Sequence, residues 1–345
     1  MLSPASLSVD LDALAQNFHT LERLTGRPVQ PVVKADAYGL GAGACVTRLM
    51  LAGARTFFVA RLVEGLALRE AMGPTPVIYV LDGCTAGAAA ALREADLRPV
   101  INHADQLTRW LEAGGGACGL HIDTGMNRLG FRPEQAPAAF AGLELVISHL
   151  ACADEPDSPM NRQQLDTFAA VRSRYPHIAA SFANSGGCFL GPDYAFDAVR
   201  PGISLWGGGP EGRPDPRIRP VATFSAPILQ VRPVPIGESV GYARGKVADQ
   251  PLTVATVGAG YADGVMRATS PRGQVFVAGQ LRPILGRISM DALAVDVTGL
   301  DVIEGDRVEL FGPNRPIDDA ARDTGTIAYE LLTSVGSRVD RTYTG

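Results

Sequence analysis

An amine does covalent chemistry when it is taken out of water, and Lys34 in PVVKADAYGLG (31–41) is placed for that. Pro31-Val32-Val33 read as a buried strand, so Lys34 stands at a strand's C-terminal end. A desolvated lysine there loses its proton readily and can form a Schiff base with a carbonyl cofactor. Gly39, Gly41 and Gly43 open a loop into a helix, whose first backbone N–H groups suit a phosphate. The same stretch is also compatible with a surface lysine beside a turn. Further polar residues come after apolar runs: Asp123 and Arg128, His149, Asn184 with Ser185, and Arg200. Singly, His149 reads as a satisfied core histidine and Arg200 as a rim ion-pair partner. Together they converge on one mouth, provided the elements that carry them form a closed ring.

The pattern along the chain predicts such a ring. In residues 10–25, Leu11, Leu14, Phe18, Leu21 and Leu24 recur at helical spacing, with Asp10 as N-cap. Short apolar runs then alternate with helical patterns: TFFVA (56–60), PVIYVLD (76–82), LRPVIN (97–102), CGLHID (118–123), LELVISHL (143–150), AASFANS (179–185) and AFDAVRPG (195–202). With the Lys34 strand these make eight β units, the signature of an α/β fold of the (β/α)8 TIM-barrel type. Chemistry in such barrels gathers at the strands' C-terminal ends. The Gly- and Pro-rich stretch 207–220 reads as a boundary, and beyond it the chain is a series of short strands with one helix near 324–334. The expected division is a barrel over 10–222 and a β-rich domain over 223–345, which the N-terminal strand (within 1–9) would join.

Composition narrows the function classes. A net charge of −5 with 19% charged residues gives no basic footprint for nucleic acid, and 46% hydrophobic residues suffice for large cores. Met1-Leu2-Ser3-Pro4 has no basic leader, and no apolar run approaches a membrane span, so a cytoplasmic protein is expected. The five cysteines are scattered without C-x-x-C spacing, which argues for small core residues and against a disulfide framework or a metal site.

Nine motifs in one order give the chain a resemblance to the bacterial alanine racemase family. They are VVKADAYGLG, IDTGMNRLG (122–130), SHLACADE (148–155), FANS (182–185), RPGISLWG (200–207), SVGYARG (239–245), GAGYADGVMR (258–267), LGRISMD (285–291) and IAYELLTSVG (327–336). The resemblance implies pyridoxal 5'-phosphate (PLP) on Lys34, with Tyr242 as the opposing base. It implies phosphate contacts from Tyr38, Ser185, the backbone around Gly202 and Ile203, and Tyr329. Arg200 would face the pyridine nitrogen with His149 beside it, and Arg128 with the backbone of Met290 would hold the substrate carboxylate. Tyr261 and Tyr329 would narrow the entrance. A homodimer is implied, in which the second domain of one subunit completes the site on its partner's barrel. D-alanine would serve cell-wall peptidoglycan, or L-alanine catabolism.

The residue types suit that chemistry. Inverting an α-carbon by proton transfer needs one base on each face, and a lysine and a tyrosine serve near neutral pH only with lowered pKa values. An arginine opposite a pyridine nitrogen keeps its own proton, which mutes the ring's electron-sink power and restrains side reactions. From the residues alone, Tyr242 and Tyr261 are equal candidates for the base. Three positions depart from the family pattern: His121 stands where many relatives carry a carbamylated lysine that orients the arginine matching Arg128, Trp206 replaces a tyrosine, and Ala243 replaces a common glycine. The last two read as packing changes. The competing functions are a broad-specificity amino-acid racemase and a non-catalytic PLP-binding homeostasis protein, which has the barrel alone. A metal-dependent aldolase needs a His/Cys set in its second domain, whereas all five histidines lie at or before His177.

Overall fold

A computed structural model describes residues 5–270 and 272–345. Met1-Leu2-Ser3-Pro4, on which the expectation of no leader fell, lies outside the described residues. The chain begins with β1 (Ser6–Asp10) and α1 (Leu11–Thr25). Asp10 caps the helix, its Oδ1 accepting the Ala13 N–H at 2.8 Å, which satisfies one of the orphan donors of the first turn. Leu14, Phe18 and Leu21 are fully buried, while Leu24, expected on the same stripe, is 39% exposed in the helix's last turn.

The chain divides into two compact units, Leu14–Leu205 and the residues up to Ala13 with Trp206–Gly345, so the stretch 207–220 lies in the second. In the first unit, Lys34–Tyr38 forms a one-turn element, α2, followed by α3 (Ala42–Leu51). Strands then alternate with helices: β2 (Thr56–Val59), α4 (Leu62–Met72), β3 (Val77–Val80), α5 (Ala89–Glu94), β4 (Leu97–Ile101), α6 (Ala104–Glu112) and β5 (Cys118–His121). After β6 (Leu143–Ile147) come α7 (Pro159–Arg172) and β7 (Ala179–Ser181). The six strands β2 to β7 pair in sequence order, all parallel. Their side chains Phe57, Ile78, Val100, Leu120 and Val146 are fully buried, as two-sided burial of a parallel sheet requires.

The first and eighth expected strands are not ladder strands. They close the ring through isolated parallel bridges, Val29 with Val199, Val32 with Phe58 and Ser181 with Ala198. Hydrogen bonds from Gln30 N to Val199 O (2.8 Å), Val32 N to Pro201 O (3.0 Å) and Val33 N to Phe58 O (2.8 Å) hold these segments in place. Pro28, Pro31 and Pro201 have no N–H to donate, so a continuous ladder cannot form there.

The second unit is antiparallel except at one edge. β8 (Ala222–Val234) pairs by its first half with β1 and by its second half with β11 (Leu252–Val257). Between them β9 (Ser239–Val240) and β10 (Lys246–Val247) make a small hairpin. β12 (Gln274–Val277), β13 (Gln280–Leu285), β14 (Leu293–Asp296) and β15 (Arg307–Phe311) complete the path from β11 back to β8. The single closing helix expected near 324–334 is instead two helices, α8 (Ile317–Thr324) and α9 (Ala328–Ser334), because Gly325 at φ 79° ends the first in the left-handed region. The chain then finishes with a strand, β16 (Asp340–Thr344), parallel to β1. No helix among the described residues is long and apolar enough to cross a membrane.

Candidate active site

Lys34 leaves the first barrel segment directly into a left-handed turn. Ala35, Asp36, Ala37 and Tyr38 have φ of 52°, 55°, 55° and 58°. For residues with a Cβ this costs on the order of 1–2 kcal/mol each, so the surroundings must enforce it. Gly39 and Gly41 end the turn at φ 83° and 94°, and the Ala42 N–H reaches back to Asp36 Oδ1 at 2.7 Å. Burial lowers the pKa of Lys34, and the positive charge of Arg128 lowers it further, against the opposing charges of Glu64 and Asp82. A lysine in that setting gives up its proton more easily than an exposed one, as a nucleophilic amine requires.

The turn carries Tyr38 inward to 5% exposure. Its hydroxyl lies so close to Gly202 that a Cβ there would fall 2.1 Å from it. Ser185, 3% exposed, accepts the N–H groups of Gly202 (2.9 Å) and Ser204 (3.2 Å) through Oγ, and Ile203 between them is 2% exposed. Ser204 Oγ is buried without a hydrogen-bond partner. Tyr38, Ser185, Gly202 and Ile203, all assigned to a phosphate, thus meet in one small polar cradle.

Arg200 is 4% exposed, donates from Nη2 to the Ser148 carbonyl, and lies 5.8 Å from the centre of the Phe58 ring. Its Nη1 is buried and unpartnered. Burial pushes its pKa down to about 9, still leaving the guanidinium charged near neutral pH. A buried donor without an acceptor is costly, so the position fits a ligand atom with a lone pair, such as a ring nitrogen. His149 is half-buried, and burial, then the charges of Arg200, Arg128, His121 and Lys34, hold its pKa well below the usual value.

His121, at 9% exposure, is pushed down to about 3 by burial and by Arg200, with Arg128 adding to the effect against Asp123. Its Nδ1 meets Asn102 Oδ1 at 2.8 Å. Asn102 Nδ2 donates to the carbonyls of Leu81 and Val100, both at 2.9 Å, so Oδ1 is the acceptor and His121 Nδ1 carries the proton. Nε2 is therefore the ring's lone-pair acceptor. Asp123 and Asn184 are braces: Asp123 Oδ1 accepts the N–H groups of Gly125 (3.0 Å) and Asn127 (3.1 Å) in the loop bearing the exposed Arg128, and Asn184 Oδ1 accepts Gly187 N–H at 2.9 Å. Sequence reasoning missed three supports. Asn102 comes directly after an apolar run like the other site residues and was findable by that signal. Gln164 ties Thr124 Oγ1 and the His149 carbonyl, both at 3.0 Å, and Glu64 binds the Ala35 N–H at 2.9 Å; both act on distant groups and leave no local pattern.

In the second unit the remaining assigned residues are exposed. Tyr242 is 69% exposed on the turn between β9 and β10, Tyr261 44%, Met290 53% and Tyr329 40%. Tyr261 N donates to Ser289 O and Ala262 N to Met290 O, both at 3.0 Å, so Tyr261 and Met290 share one pair of loops. Ala243 adopts φ 53°, and Trp206 is 1% exposed. The replacement at 243 is thus a backbone change rather than the packing change expected, since glycine tolerates that φ and alanine is strained by it. At 206 the side chain is core.

A partly buried lysine with depressed basicity, a cradle of backbone N–H and hydroxyl groups and an unpartnered guanidinium in one barrel mouth suit an enzyme of the class that holds a phosphorylated aromatic aldehyde covalently. Residues 9–210 match the family described as alanine racemase, N-terminal domain, and residues 221–343 that described as alanine racemase, C-terminal domain. The alanine racemase of Cereibacter sphaeroides is 45% identical over 99% of both chains, and that of Rhizobium meliloti 45% identical over 98% of this chain and 96% of its own. The crystal structure of alanine racemase from Bartonella henselae with covalently bound pyridoxal phosphate matches with a TM-score of 0.93 at 36% identity, covering 99% of this chain and 100% of that one. Biosynthetic alanine racemase from Pseudomonas aeruginosa matches at 0.94 and 36%, with 100% of both chains covered. The chain belongs to the alanine racemase family.

Proposed function

We propose that this chain is a PLP-dependent racemase interconverting L-alanine and D-alanine, with Lys34 and Tyr242 as its two bases. The reading rests above all on the partly buried Lys34 sharing a barrel mouth with the unpartnered Nη1 of Arg200. Bound PLP supplies the electron sink that acidifies the amino acid's α-proton. Lys34 would hold the cofactor, Tyr38, Ser185, Gly202, Ile203 and Tyr329 would hold its phosphate, and Arg200 would donate to its ring nitrogen without surrendering a proton. His149 stays neutral beside Arg200. Arg128 and the Met290 backbone orient the substrate carboxylate, with His121 Nε2 as acceptor for Arg128.

The Lys34 amine would take or return the proton on the D side, and the Tyr242 phenol would do so on the L side. Tyr261 and Tyr329 narrow the approach and favour alanine over larger amino acids. The exposure of Tyr242, Tyr261 and Met290 supports a homodimer in which a partner covers them. We place the enzyme in the cytoplasm, supplying D-alanine for cell-wall peptidoglycan, a direction that the biosynthetic relative favours, or serving L-alanine catabolism. A panel of amino acids tests the broad-specificity alternative. Tyr242→Phe should lose roughly 10²–10⁴ in racemisation, the usual worth of a positioned acid–base group. Solvent deuterium should still enter D-alanine while entry into L-alanine collapses. Equal losses on both sides would point to one shared base, or to Tyr261.

A further inference from the structure

Glu64 is the third helical residue of α4, where a carboxylate ordinarily only caps its own helix. Here its two oxygens face different elements. Oε2 accepts the N–H groups of Ala60 (2.7 Å) and Arg61 (3.1 Å) at the end of β2 and the start of α4, while Oε1 accepts the N–H of Ala35 at 2.9 Å. Ala35 is the first left-handed residue after Lys34. On the same side the turn borders an open cavity of about 340 Å³ lined by Val33, Asp36, Val63, Glu64, Ala67 and Leu68, so close packing does not hold it there. A conformation that four non-glycine residues disfavour is thus tied to the β2–α4 junction by the Glu64 carboxylate.

We propose that Glu64 is a positioning residue for the reaction: it pins the left-handed turn to the β2–α4 junction and so fixes where Lys34 stands in the barrel mouth. The assignment rests on Lys34 being the amine that carries the cofactor. A second effect accompanies the clamp. The charges that bear on Lys34 are Arg128, which lowers its pKa, and Glu64 and Asp82, which raise it. Removing the Glu64 charge therefore lowers the pKa of Lys34, and activity that needs the neutral amine extends to lower pH.

The test compares holoenzyme carrying Glu64→Gln or Glu64→Ala with wild type. Glutamine keeps the shape, but its single oxygen cannot serve both sides, and its NH2 group faces an N–H donor. Dialysis against cofactor-free buffer should show retention of PLP weakened about tenfold, the worth of one charge-assisted hydrogen bond. The ascending limb of the pH–rate profile in the D-to-L direction should move to lower pH. A simple helix cap would change thermal stability and leave PLP retention as in wild type, so retention is the readout that separates the two roles. A folded Glu64→Gln enzyme in which either readout keeps its wild-type value overturns the proposal, and it decides the matter if Glu64→Ala fails to fold. Lys34→Ala, scored by loss of the covalent adduct after borohydride, tests the underlying assignment separately.

Discussion

His121 is a buried group that must stay uncharged. Its folded pKa is about 3, against about 6.5 for an exposed imidazole. Between those values the unfolded chain binds a proton that the folded chain refuses, so the stabilising contribution is complete above pH 6.5 and is lost as pH falls toward 3. His121→Gln keeps a donor for Asn102 Oδ1 and removes the titration. The stability advantage of wild type over this variant should shrink by about 2 kcal/mol between pH 7.5 and pH 5, read by urea denaturation at each pH. A gap independent of pH would mean that the ring is not held neutral. The tautomer behind this argument could not be read from the sequence. Asn102 lies 19 residues from His121, and only its two carbonyl partners decide which way its amide faces. Lys34 and Arg200 stood out because each comes directly after apolar residues, and His149 because only one residue separates it from LELVI.

Elements place these groups by close approach as much as by strand direction. The segment after the eighth barrel position bends so that Gly202 lies against the Tyr38 hydroxyl while its N–H meets Ser185 Oγ. The φ of Gly202 is not in the left-handed region, so alanine is acceptable to the backbone and only the added methyl, 2.1 Å from Tyr38 Oη, intrudes. Gly202→Ala should therefore leave far-UV circular dichroism unchanged and weaken PLP retention about tenfold or more, as expected for a displaced donor to a charged group. Wild-type cofactor content after dialysis would separate Tyr38 from the phosphate. Apolar runs announced the six ladder strands, since two-sided burial demands them. α8 stayed hidden because Ile317 and Ala321 are its only buried apolar residues, and β16 because DRTYT is mostly exposed and lacks an alternating face. The clamp at Glu64 was equally silent, as it joins groups 29 positions apart.

At the scale of the molecule, the proposed chemistry needs Lys34 from one compact unit and Tyr242 from the other. A phenol 69% exposed is poorly placed for proton transfer in water-excluded surroundings, and a partner subunit that covers it would resolve this. If each site joins Lys34 of one subunit to Tyr242 of the next, the variants Lys34→Ala and Tyr242→Phe complement each other. In a mixed dimer one site then carries both substitutions and the other carries neither. Random exchange makes half of the dimers mixed, so activity should return to about a quarter of wild type, provided the dimer is symmetric. Sites built within a single chain give a different result, because every site in the mixture then bears one lesion. The measurement is racemisation after the two inactive proteins are mixed, with exchange verified by native mass spectrometry of differently tagged subunits. Mixed dimers without recovered activity would assign Lys34 and Tyr242 to the same chain and remove the argument that the dimer is needed for catalysis.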